Sequence, residues 1–105
     1  SVDVPRNGFH ALRQIREHGG MVVRVSDESI LAAQLRLSRT AGLFAEPAGA
    51  AAFAGFLAVY PQLPKDSTAV VLATGNGLKD IAAAGRSVEI PERVITRLEE
   101  IEGSE

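Results

Sequence analysis

Ala69-Val70-Val71-Leu72-Ala73-Thr74-Gly75-Asn76-Gly77-Leu78-Lys79-Asp80 is the stretch on which the reading of this chain turns. Its opening run, Ala69 to Ala73, is apolar and rich in valine, the composition of a buried parallel strand. Two glycines follow, and Leu78 to Ala84 can start a helix. A strand, a glycine turn and a helix start make a βα turn. In open α/β sheets ligands bind at that carboxyl edge. Thr74 would present a hydroxyl there, and the glycines would let a ligand approach the backbone closely.

Upstream lies Ala48 to Tyr60, a helical stretch of alanine, glycine, Phe53, Phe56 and Leu57 without a single charge. A helix apolar on every side is a buried helix. Pro47 fits its first position, and Glu46 stands just before it. Gly42 stops the preceding helix, which Ser26 caps and which runs to about Thr40. Ile30, Ala33, Leu37 and Ala41 share one face of it, and Asp27 and Glu28 suit the dipole of its first turn. Met21 to Val25 reads as another strand. Asn7 can cap a first helix from Gly8 to about His18, with Phe9, Leu12 and Ile15 inward and Gly19-Gly20 at its end. Downstream, Arg86 to Ile90 reads as an edge strand. Pro91 opens a last helix with Val94, Ile95, Leu98 and Ile101 inward, and Glu102 to Glu105 should fray.

The expected fold is therefore α/β: a small parallel sheet flanked by helices. The link from the Met21 strand to the Ala69 strand, with two helices in it, should be a right-handed crossover. Two or three strands make a partial three-layer domain. The 105 residues read as a single unit and a segment of something larger.

Composition narrows the function. Apolar residues make up 46% and charged residues 23%, as in a folded soluble domain. A net charge of −2 leaves no electrostatic footprint for nucleic acid or an anionic membrane. With no cysteine, disulfides, thiolate metal sites and cysteine nucleophiles are excluded. His10 and His18 are too few for a His-rich metal site, so no metal is expected. The first residues are no signal peptide, and the uncharged run Pro47 to Gln62 is too short to span a bilayer. A cytoplasmic location is the default expectation.

Three stretches carry a resemblance. They are Pro5-Arg6-Asn7-Gly8 with Ala11-Leu12-Arg13, then Gly42-Leu43-Phe44-Ala45-Glu46-Pro47-Ala48-Gly49-Ala50-Ala51, then Thr74-Gly75-Asn76-Gly77-Leu78-Lys79-Asp80. Val25 to Ile30 joins them. Together they resemble the C-terminal part of the threonine synthases, pyridoxal-phosphate enzymes of fold type II, the tryptophan-synthase-β kind. The Glu-Pro-Ala-Gly-Ala segment is shared with serine and threonine dehydratases. Family members often carry His where Asn76 stands and Pro where Ile81 stands.

The resemblance implies roles. A hydroxyl at Thr74 would accompany the pyridine nitrogen of pyridoxal phosphate, and a protein tunes that cofactor through the group facing the nitrogen. Gly75 and Asn76 would line the pocket floor, and Glu46 would lie near the same ring edge. The cofactor-bearing lysine and the phosphate loop belong, in the family, to an upstream part. Lys65 and Lys79 do not match that lysine. The chain alone is therefore expected to hold no catalytic residue, to bind no cofactor and to be inactive. Its implied partners are the remainder of the enzyme and a small amino-acid substrate. Its apolar helix could also drive self-association. Plainer readings stand beside these: Thr74 can simply end a strand, Gly75-Asn76-Gly77 is a common turn, and Glu46 suits a helix N-terminus. The alternatives are a non-catalytic module binding a small ligand or protein at the Thr74 edge, or a fragment of a related dehydratase.

Overall fold

The computed structural model describes residues 4–89 and 95–97. Local signals place most of its helices. α1, Gly8–Glu17, ends where expected: Gly19 takes a left-handed φ of 64°, and the Gly20 N–H donates to Ile15 O at 2.8 Å. α2, Asp27–Ala41, starts with the Ser26 hydroxyl accepting from the Ser29 N–H at 3.2 Å and stops at Gly42, φ 66°. α3, Pro47–Val59, opens with proline in its first turn and runs into a 3₁₀ turn, Tyr60–Gln62. After Thr74 a second 3₁₀ turn, Gly77–Asp80, leads into the short α4, Ile81–Gly85, which the Asp80 carboxylate caps by accepting from Ala83 N–H at 3.0 Å.

The described residues form no sheet. Among the described residues there is no strand, and the only β pairing is an isolated antiparallel bridge between Ala45 and Asn76. The expected α/β fold with a small parallel sheet is thus corrected to an all-helical arrangement, with four α-helices among the described residues. Met21 to Val25 and Ala69 to Ala73 carry no ladder between them. They flank α3, and together with Ala51, Gly55 and Phe56 they line an open apolar groove of about 450 Å³. Met21, Val22, Val70 and Leu72 are each more than two-thirds exposed. A parallel strand is normally covered on both faces. Here, among the described residues, these apolar runs have no backbone partner, and most of their side chains are exposed. Arg86 to Glu89 likewise forms a turn and bends rather than an edge strand. Ile90, and the expected last helix apart from Ile95, Thr96 and Arg97, lie outside the described residues, as does the fraying tail. Those three residues are not helical.

The core sits between α2 and α3. Leu37, Ala45 and Ala50 form its centre, with Ile30 and Phe53 packed against it. The fully buried apolar residues are otherwise alanines: Ala33, Ala54 and Ala83. α3 turns only Gly49, Ala50 and Ala54 fully inward, so the helix expected to be buried all round is buried on one side. α1 buries nothing. Its expected inner residue Phe9 is 95% exposed, and Asn7 makes no side-chain cap bond. A compact chain of this length would have a radius of gyration of about 13 Å. The observed value is 18.4 Å, with extents of 63 × 36 × 18 Å.

Candidate functional site

Two loops meet at the start of α3. Phe44 to Glu46 runs antiparallel to Gly75 to Gly77. Glu46 N–H donates to Gly75 O at 3.0 Å, and Gly77 N–H donates to Phe44 O at 2.9 Å. Ala45 and Asn76 face each other between these two bonds. Glycine makes the approach feasible. At Gly75, φ 73°, the Glu46 carboxylate lies where a Cβ would stand. At Gly77 the Phe44 ring occupies that space, and at Gly49 the Thr74 carbonyl does. α3 therefore packs its first turn directly on the backbone of the Thr74 turn.

The polar groups of the turn are mostly engaged within it. Asn76 Oδ1 accepts from Leu78 N–H at 2.9 Å, an Asx-type cap of the 3₁₀ turn. Glu46 occupies the cap position of α3 but makes no side-chain cap bond. Its carboxylate turns over Gly75 instead, 24% exposed, with Lys79 Nζ at 3.7 Å. At that distance, and with Lys79 largely exposed, the pair orients Glu46 more than it stabilises the chain. Thr74 is an exposed residue, and its carbonyl is pinned against α3. A cavity of about 250 Å³ adjoins it, lined by Leu43, Phe44, Ala45, Ala73, Gly75 and Asn76.

The structure thus brings Glu46 together with Gly75 directly, and with Thr74 and Asn76 through the same turn. Lys65 lies elsewhere, beside Tyr60 and Pro61. No group of three or more His, Asp or Glu residues among those described is placed to hold a metal ion. No described helix is long and apolar enough to cross a membrane.

Three contributors were not singled out from the sequence. Gly49 and Phe44 matter through close approach, which spacing does not reveal. Gln34 matters more: it is 1% exposed, and its Nε2 donates to Ala45 O at 2.7 Å. Its signal was available. It is a polar residue within the stripe Ile30, Ala33, Leu37, Ala41, four positions after Ile30, with Ser38 the other one turn on.

An aromatic nitrogen heterocycle approaching this turn would meet a neutral hydroxyl at Thr74 and backbone without a side chain at Gly75. Those are fitting neighbours for one edge of a pyridoxal ring. The lysines fit less: Lys79 is paired with Glu46, and Lys65 is on a distant turn.

Comparison with known proteins gives the family. The family pattern described as "Pyridoxal-phosphate dependent enzyme" matches residues 1–75, which include Glu46, Thr74 and Gly75. The threonine synthase of Methanocaldococcus jannaschii is 39% identical over 92 residues, covering 86% of this chain and 23% of the relative. The threonine synthase of Halalkalibacterium halodurans is 37% identical over 93 residues, 87% of this chain and 26% of the relative. That of Methanosarcina acetivorans is 45% identical over 78 residues, 72% of this chain and 19% of the relative. The chain spans about a quarter of the length of these relatives or less. On a family match over residues 1–75, more than half its length, the chain belongs to the pyridoxal-phosphate dependent enzymes.

Proposed function

We propose that this chain forms the C-terminal, ring-facing wall of a threonine synthase that converts O-phosphohomoserine and water to threonine and phosphate. The observation that carries the reading is the Thr74 turn, locked to Glu46 by the bridge and by Gly75, with Thr74 itself an exposed residue. Similarity to threonine synthases over most of the chain supports the substrate. Pyridoxal phosphate, when bound, supplies the electron sink for the elimination and addition steps. The chain's own part is electrostatic and positional. Thr74 offers the ring nitrogen a neutral hydroxyl, which leaves that nitrogen largely unprotonated. A carboxylate at this place would hold it protonated. Glu46, steadied by Lys79, closes the same edge. The cofactor-bearing lysine comes from the remainder of the enzyme, which is this chain's partner.

The test is a graft. In the M. jannaschii threonine synthase, this chain replaces the segment it matches. The graft is expected to release phosphate from O-phosphohomoserine. Thr74→Val should lower the rate by about tenfold or more, the worth of roughly one lost hydrogen bond in a water-poor site. Thr74→Asp should alter the cofactor's visible absorbance. A graft that binds cofactor and turns over equally well with threonine, valine or aspartate at position 74 would refute the reading.

A further inference from the structure

We propose that Gln34 is the positioning residue of this site: its side-chain amide, anchored in α2, holds the loop that carries Glu46 against Gly75. The bridge geometry leads there. In an antiparallel pair, a residue flanked by the two bonds of its neighbours points its own N–H and C=O away from the partner chain. Ala45 is such a residue, because Glu46 N–H and Phe44 O take the bonds to Gly75 and Gly77. Its carbonyl therefore faces the other way, into the α2 side, where Ala45 is 5% exposed. A carbonyl buried there is shielded from water, and among the described residues no neighbouring strand adjoins it. Gln34 Nε2 donates to it at 2.7 Å, the role the next strand of a sheet would play.

The amide orientation follows from the chemistry. Ala45 O is an acceptor only, so the NH₂ end of Gln34 must face it. Gln34 Oε1 then points elsewhere and, among the described residues, is buried without a partner. A leucine or methionine would fill the stripe without that uncompensated acceptor. The donor end is the reason a glutamine stands there. Gln34 thus links the rigid middle of α2 to the bridge, and the bridge to the turn that presents Thr74. The inference extends the reading of that turn as the cofactor-facing wall, but it is tested without cofactor.

The experiment is amide hydrogen exchange on the cofactor-free graft described above, with this chain ¹⁵N-labelled segmentally and joined to the remainder of the threonine synthase. In the unaltered protein, the Gln34 side-chain amide should exchange at least about tenfold more slowly than those of the exposed Asn7, Gln14 and Gln62. Equal exchange would overturn the proposal, whatever any variant does. Gln34→Met keeps length and apolar packing but has no donor. It should lower the protection of the Glu46 and Gly77 amides by about tenfold and that of Ala33 and Leu37 by less than about threefold. Unchanged bridge amides, or an equal fall at all four positions, would overturn it. Gln34→Glu adds a rescue: the protonated carboxyl can donate to Ala45 O, and the carboxylate cannot. Bridge protection, corrected for intrinsic exchange, should return on acidification through the carboxyl's pKa, and its failure to return would count against the donor. In the assembled holoenzyme, Gln34→Met should raise the dissociation constant for pyridoxal phosphate. If the bridge loosens there and cofactor binding does not change, the positioning role stands and the ring-facing reading of the turn falls.

Discussion

Gly49 and Gly55 sit less than two turns apart in the same helix, and their substitution should go opposite ways. Glycine in a helix interior costs about 0.5–1 kcal/mol relative to alanine. At Gly55 an added Cβ meets open space. Gly55→Ala should therefore stabilise α3 by about that amount, read as slower amide exchange along the helix. At Gly49 the Cβ would overlap the Thr74 carbonyl, which is backbone and cannot swing aside. Gly49→Ala should then separate α3 from the Thr74 turn, seen as loss of the Glu46 and Gly77 amide protection. Gly75→Ala combines both problems. Its φ of 73° costs a residue with a Cβ roughly 1–2 kcal/mol, and the Glu46 carboxylate must leave its place. The expected result is a displaced Glu46 that no longer meets Lys79. A Gly75→Ala chain with an unchanged Glu46 side-chain environment by NMR would show that the carboxylate is not held there.

At the level of elements, what was legible depended on range. The helix ends rest on residues adjacent in sequence: Ser26 before α2, Gly42 after it, Pro47 at the start of α3, Gly19-Gly20 after α1. The strands did not survive, because valine-rich runs such as Val70-Val71-Leu72 report a demand for burial and not who meets it. Phe9 fails for the same reason, with helical spacing but nothing packed on it. Glu46 and the Thr74 turn were legible as motifs, while Gln34, which ties Glu46's loop to α2, needed the third dimension. The start of α2 yields a test. The Ser26 hydroxyl accepts from Ser29 N–H, so Ser26→Ala should cost about 1 kcal/mol of helix stability by circular dichroism. The carboxyl of the exposed Glu28 is held below the ordinary Glu range first by its backbone N–H and then by Ser26, with desolvation working weakly the other way. A lowered pKa in the folded state favours folding above the ordinary Glu range, and that contribution is lost as pH falls through the lowered value. Glu28→Gln should accordingly reduce the helicity of α2 at neutral pH and match the unaltered chain in acid. An equal difference at both pH values would remove the carboxylate from the account.

At the scale of the whole molecule, the governing fact is that the buried apolar set contains five alanines and one leucine among the described residues. Burying a methyl group contributes far less than burying a leucine or phenylalanine side chain, which is worth about 1.5–3 kcal/mol. Many of the large apolar residues are outside: Phe9, Met21, Val22, Val70, Leu72 and Leu78 are all largely exposed. A self-sufficient domain of this length would unfold with about 0.7 kcal/mol per residue of enthalpy near 60 °C. This chain, extended to 18.4 Å in radius of gyration, should fall well short of that in calorimetry at low concentration and melt over a broad range. Joined to the remainder of a threonine synthase, the same residues should melt in one sharp transition, because the groove between Val23, Phe56 and Val71 would then be filled. Concentration separates the two ways of covering that groove. If raising the concentration of the chain alone sharpens its melting, a second copy covers the apolar surface. If melting stays broad at every concentration and sharpens only in the joined protein, the surface is shaped for the rest of the enzyme. A sharp, concentration-independent transition with full enthalpy in the isolated chain would mean that these side chains find cover within the chain itself, against the exposures observed.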